Sequence, residues 1–179
     1  ATDYKIIAYT DDSTVDTSSG SVLSGITLSA PKNAEVITPT TTLMEEGGLT
    51  AAQVAEVLNL PDDIDPLSFN PFAAGVDATK ALAVEKISQQ IMTAINSFAA
   101  AAEGAGVNET GAFEAALNSV VDVVKVKAGK LNDAGVSTAD KTIDFTKASD
   151  LNLIKVKIAE EAEKIIAAGG AHGPNGFTK

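Results

Sequence analysis

Cysteine, arginine and tryptophan are missing from this sequence, histidine occurs once, and aromatic residues make up only 4 %. Without cysteine there is no disulfide, no thiolate nucleophile and no zinc–thiolate centre. Without arginine the chain lacks the side chain best suited to bidentate capture of carboxylate or phosphate. With few aromatic rings, a stacking cleft for sugars or planar ligands is not expected. All thirteen basic residues are lysine, and against twenty-four acidic ones they leave a net charge of −11. The pI is near 4.4. A nucleic-acid surface needs a basic stripe to neutralise phosphates, so this balance argues against one.

What remains is apolar and aliphatic. Hydrophobic residues account for 45 % of 179 positions, mostly Ala, Val, Ile and Leu. That is enough to build one domain core of helix–helix seams. No apolar run is long enough to span a bilayer, and membrane insertion is not expected. The sequence opens at Ala1 without an initiator methionine or a signal peptide and reads as a fragment of a longer polypeptide.

Residues 1–37 form a β-rich segment. Tyr4 to Tyr9 is a β-prone run suited to a strand, followed by polar turn chemistry through Asp16-Thr-Ser-Ser-Gly20. Val22 to Ser29 predicts a second short strand and Glu35 to Thr38 a third. So few strands do not make a stable sheet alone, and they are expected to pack on helices or complete a larger β-domain.

From residue 38 the pattern becomes helical. Thr38-Pro39 has the form of an N-cap followed by proline at the first helical position, with Leu43 and Met44 inward and Gly47-Gly48 as terminator. Thr50-Ala-Ala-Gln53 is a capping box ahead of Val54, Val57 and Leu58. A proline-rich connector follows, from Asp62 to Pro71. Asp77 caps a long helix whose stripe is Val84, Ile87, Ile91, Ile95, Phe98 and Ala102. Asn108 caps the next, with Phe113, Leu117, Val120, Val124 and Leu131. Thr146 or Ser149 is the expected cap of a last helix carrying Leu151, Ile154, Ile158, Ala162 and Ile165, with Lys155, Lys157, Glu160, Glu161, Glu163 and Lys164 on its wet side. Matching stripes and short links predict a mainly α fold, an antiparallel helical bundle over residues 38–168 with a small N-terminal β element. Residues 169–179 read as a Gly-rich tail.

The chemistry-bearing residues are sparse. His172 lies in that tail without a carboxylate neighbour to position it as a base. No serine stands in a nucleophile elbow or a Ser-x-x-Lys pattern, and Gly47-Gly48 lacks the lysine and hydroxyl of a phosphate loop. No catalytic residue and no organic cofactor is therefore assigned. Calcium is the one metal with enough hard oxygen ligands. Asp62, Asp63, Asp65 and Asn70 form the leading candidate set, and Asp11, Asp12 and Asp16 a second; neither has EF-hand spacing, and both also suit turns and caps.

Thr38-Pro-Thr-Thr-Thr-Leu-Met44, the Leu49-Thr-Ala-Ala-Gln-Val54 helix, Leu58-Asn-Leu-Pro61 and Asp65-Pro-Leu-Ser-Phe-Asn-Pro-Phe72 resemble a helical module of large repetitive bacterial surface adhesins of the RTX or cadherin-like type. Tyr4 to Ala30 resembles the closing strands of a carboxypeptidase-regulatory or transthyretin-like β-domain. The resemblance covers roughly residues 20–125. It implies an extracellular or cell-surface location, calcium-rich surroundings, and a non-catalytic spacer, adhesive or ligand-contact role. The implied partners are neighbouring domains of the same polypeptide and an extracellular protein or glycan. A different class of reading is a secreted or periplasmic module that takes a peptide or small apolar ligand in a cavity lined by Ile91, Met92, Phe98 and Phe113. An enzyme of unknown type is the third.

Overall fold

The computed structural model describes residues 4–15, 20, 22 and 25–168. Asp16, His172 and the Gly-rich tail lie outside the described residues. Among these, the chain forms two strands and six helices: β1 (Lys5–Tyr9), β2 (Thr27–Pro31), α1 (Pro39–Gly47), α2 (Ala51–Val57), α3 (Ala78–Gly104), α4 (Glu109–Gly129), α5 (Thr138–Lys141) and α6 (Ala148–Ala167). The protein is mainly α, with a two-stranded antiparallel sheet at its start.

Four of the five expected helix starts hold. Thr38 accepts from the Thr41 amide while Thr41 reaches back, Thr50 and Gln53 do the same for α2, and Asp77 and Asn108 cap α3 and α4. Each side chain satisfies an amide that the first turn leaves unpaired. Gly48 ends α1 at φ +61°, a conformation that costs glycine nothing and a side chain about 1 kcal/mol.

Helix α4 is the centre. It packs against α3, α6, α1 and α2, and is buried on most of its circumference by Ala112, Ala115, Ala116, Val120, Val121, Val123, Val124 and Ala128. Small residues let its neighbours approach closely, while Ser119 donates its hydroxyl to the Ala115 carbonyl at 2.6 Å and so carries no unmet polar group into the core. Helix α3 brings Val84, Ile91, Ala94, Ile95, Ala99 and Ala102 to the core, and α6 brings Ile154, Ile158 and Ala162. The four-residue link 105–108 makes α3 and α4 antiparallel neighbours.

Three expectations need correction. The second strand lies at Thr27–Pro31 rather than 22–29, because its register is set by pairing of Ile7 with Ser29 and by docking on α1; Val22 only meets Val15 in an isolated bridge. Glu35 to Thr38 is not a strand: the Glu35 amide donates to the Leu67 carbonyl at 2.7 Å, which ties this segment to the connector instead of to a sheet. Neither Thr146 nor Ser149 caps α6. Lys147 occupies the cap position with no side-chain bond, and Asp150 reaches back to the Asp144 amide at 2.9 Å.

Candidate functional site

An apolar groove of about 560 Å³ runs between the sheet, the entry to α1, the connector and the N-terminal half of α3. Ligand sites commonly enclose roughly 300–1,000 Å³ with apolar walls and a few placed polar groups. One wall is Ile26 and Leu28 from the sheet side together with Val36, Ile37 and Pro39. The opposite wall is α3, where Val84, Ser88 and Met92 are one helical turn apart and therefore share a face. The connector closes one end with Phe69, Pro71 and Phe72.

Local chemistry holds that end in place. The Asn70 side-chain carbonyl accepts from the Phe72 amide at 2.9 Å, and the Ala73 amide bonds the Asn70 main-chain carbonyl at 3.1 Å. This turn, flanked by Pro71, projects the Phe72 ring outward, where it stays 60 % exposed. A large ring so exposed at the lip of an apolar trough is the feature a contact surface needs and a core does not. The rim is polar: Glu85 and Gln89, bonded to each other at 2.9 Å, with Thr93 and Asn96 further along.

The four residues expected to frame one cavity do not meet. Ile91 is fully buried, Phe113 packs on the core, Phe98 lines a separate depression beside Phe145 and Leu151, and only Met92 faces the groove. A wider depression of about 730 Å³ lies at the start of α4 around Asn108 and Glu109, but the cap side chain already takes the Gly111 amide there.

The candidate calcium ligands are spread along the connector. Asp62 is exposed. Asp63, at φ +69°, pairs with Lys80 at 3.2 Å. Asp65 accepts from the Leu67 amide at 3.0 Å and faces the Ser68 hydroxyl at 3.4 Å, and Asn70 serves the turn above. Asp11 accepts from the Ser13 hydroxyl and amide and from Thr14, which together hold its carboxyl below the usual value. Among the described residues no three His, Asp or Glu side chains converge as a metal site.

Sequence reasoning missed a buried ion pair. Lys127 Nζ lies 3.0 Å from Asp150 Oδ1 between α4 and α6, and also donates to the Ala139 carbonyl at 3.1 Å. A signal was present: Lys127 falls three residues after Val124 and four before Leu131, and Asp150 four before Ile154. Both charges therefore stand on apolar stripes. No helix among the described residues is long and apolar enough to cross a membrane.

No protein-family model, no curated protein and no solved structure matches this chain.

Proposed function

We propose that this chain is a non-catalytic contact module of a large bacterial cell-surface protein, and that it holds an apolar segment of its partner in the groove between β2, the connector and α3. The groove with Phe72 at its lip is the observation that carries the reading. The partner is neutral or basic, since the module carries −11 and Glu85 stands on the rim. The Thr38–Met44 and Asp65–Phe72 segments, which carry the resemblance to adhesin modules, contribute Thr38, Pro39, Phe69 and Phe72 to this groove. A spacer role is supported by the close-packed Ala and Val seam around α4, and the two roles are compatible in one module.

Nile red, an uncharged apolar dye, tests the groove. Native protein is expected to take it up with enhanced emission, and Phe72→Ala and Met92→Ala each to weaken uptake several-fold without changing helicity. No uptake by the native fold, or uptake indifferent to both substitutions, sinks the groove as a binding site. Surface location is tested separately, by protease accessibility of the parent polypeptide on intact cells.

A further inference from the structure

The two edges of the small sheet are treated differently. On the β2 edge, the Ser29 amide donates to the Thr42 hydroxyl at 3.0 Å. The Ser29 carbonyl lies 3.1 Å and 3.2 Å from the Thr42 and Thr41 hydroxyls. Two threonines of α1 thus bond the outward main chain at Ser29, the middle residue of β2, and the Pro31 carbonyl takes the Ala34 amide. Since Ile7 sits opposite Ser29 in the register, it belongs to a pair that exchanges no ladder bonds. With a period of two, Lys5, Ile7 and Tyr9 all turn their amides and carbonyls outward from β1. No described residue bonds these groups.

Such an edge is normally guarded by proline, a bulge or a free lysine. Here Lys5-Ile-Ile-Ala-Tyr9 has no proline, and its lysine is drawn back to Glu46 at 3.0 Å. Tyr9 is 77 % exposed and Ile7 38 %. From Tyr4 to Thr10 there is no acidic residue, although the chain as a whole is strongly acidic.

We propose that β1 pairs antiparallel with β1 of a second copy across a twofold axis, joining two hairpins into one four-stranded sheet. The strand is self-complementary in the one register that uses every outward group. Centred on Ile7, it sets Ile7 against Ile7, Lys5 against Tyr9 and Tyr9 against Lys5, each pair exchanging both main-chain bonds. Lysine then lies beside a tyrosine ring, a favourable cross-strand pair, and no like charges oppose each other within the sheet. The remaining repulsion comes from the carboxylates that flank this run in the sequence, Asp3, Asp11 and Asp12, and from the field of two acidic bodies, both of which salt screens. This surface is distinct from the groove, so the two proposals fail independently.

Sedimentation equilibrium of the whole chain, with amide exchange read at Ile7 and Tyr9, is the test. The native protein is expected to pass from monomer to dimer between micromolar and millimolar concentration, more readily at higher salt. Protection at Ile7 and Tyr9 should rise with concentration. Ile7→Pro removes only an outward amide and leaves the β1–β2 ladder its bonds, and should weaken the dimer at least about tenfold. Ile7→Lys sets two lysines against each other on the axis and should do the same without touching the backbone. A monomer at millimolar protein overturns the proposal. So does a dimer that survives Ile7→Lys, or one whose Ile7 and Tyr9 amides exchange equally fast at every concentration.

Discussion

Lys127 of α4 and Asp150 of α6 meet at 3.0 Å with side chains 5 % and 9 % exposed. Each has further partners: Lys127 the Ala139 carbonyl, Asp150 the Asp144 amide. Burying two charges costs several kcal/mol each, which close pairing and these extra bonds offset. Their arrangement also fixes how the segment between the two helices is laid down, because residues 139, 144 and 150 are all drawn to one point. Asp150 lies in the first turn of α6, where the helix dipole favours an anion.

Breaking this pair is expected to be far worse than replacing it. Lys127→Met strands a buried carboxylate and should cost about 3–5 kcal/mol in urea unfolding. Adding Asp150→Leu to it should recover part of that loss, since the remaining cost is packing and the Asp144 amide left without its acceptor rather than an unpaired charge. If the two changes prove additive in a double-mutant cycle, the pair is not coupled as described.

Ile91 is fully buried in the seam between α3 and its neighbours. Ile91→Asp should lower stability by at least about 3 kcal/mol, through an unpaired carboxylate in an apolar site. Ile91→Val, which removes one methyl group, should cost only about 1 kcal/mol. A melting temperature left unchanged by Ile91→Asp would contradict the burial of this stripe.

The attachment of the sheet to α1 is expected to weaken in acid. Burial pushes the Glu46 carboxyl up, but the Ser29 hydroxyl and the Lys5 ammonium together hold it below its ordinary value. For a group depressed in the folded state, the stabilisation is present above the unfolded value, near 4.5, and is lost as pH falls through the folded one. The protection factors of the β1 and β2 amides, taken relative to the slower intrinsic exchange in acid, should therefore fall below that range, ahead of those in the helices. Glu46→Gln should remove this pH dependence while leaving other acid-sensitive groups such as Asp144 in place. Identical acid profiles for native and Glu46→Gln protein would count against the tether.

Calcium and magnesium at millimolar concentration are expected to raise the melting temperature equally and slightly, by screening the net charge of −11. The reason is local: Asp63 is engaged with Lys80, while Asp65 and Asn70 accept from amides two residues on. A shift specific to calcium, growing with free ion and abolished by Asp63→Ala with Asp65→Ala, would instead establish the connector as a calcium site.

Helix content, the starts of α1 to α4 and the middle of the α3 and α6 stripes were legible because they depend on short-range spacing. On α4 only Val120 and Val124 of the expected stripe are buried, and alanines with Val121 and Val123 make up the rest of its buried apolar face. Thr38, Thr50, Asp77 and Asn108 cap amides two or three residues away, and Ile91, Val124 and Ile158 recur at the helical period. Local signals locate such features without knowledge of what packs on them. The features decided only by tertiary structure join residues far apart in the chain. The start of β2 shifted because Ser29 answers to Ile7 and to Thr42, and no run of residues around 22–31 encodes that register. The α6 cap failed because Asp150 is held from α4, across twenty-three positions of sequence. The groove exists only where residues 26–39, 69–72 and 84–96 converge, and the open edge of β1 only because the α1 threonines bond the main chain of β2 at Ser29 and none of them reaches that of β1. Periodicity sets which face of an element is apolar; the chain's path in space sets what that face, or that edge, is left to meet.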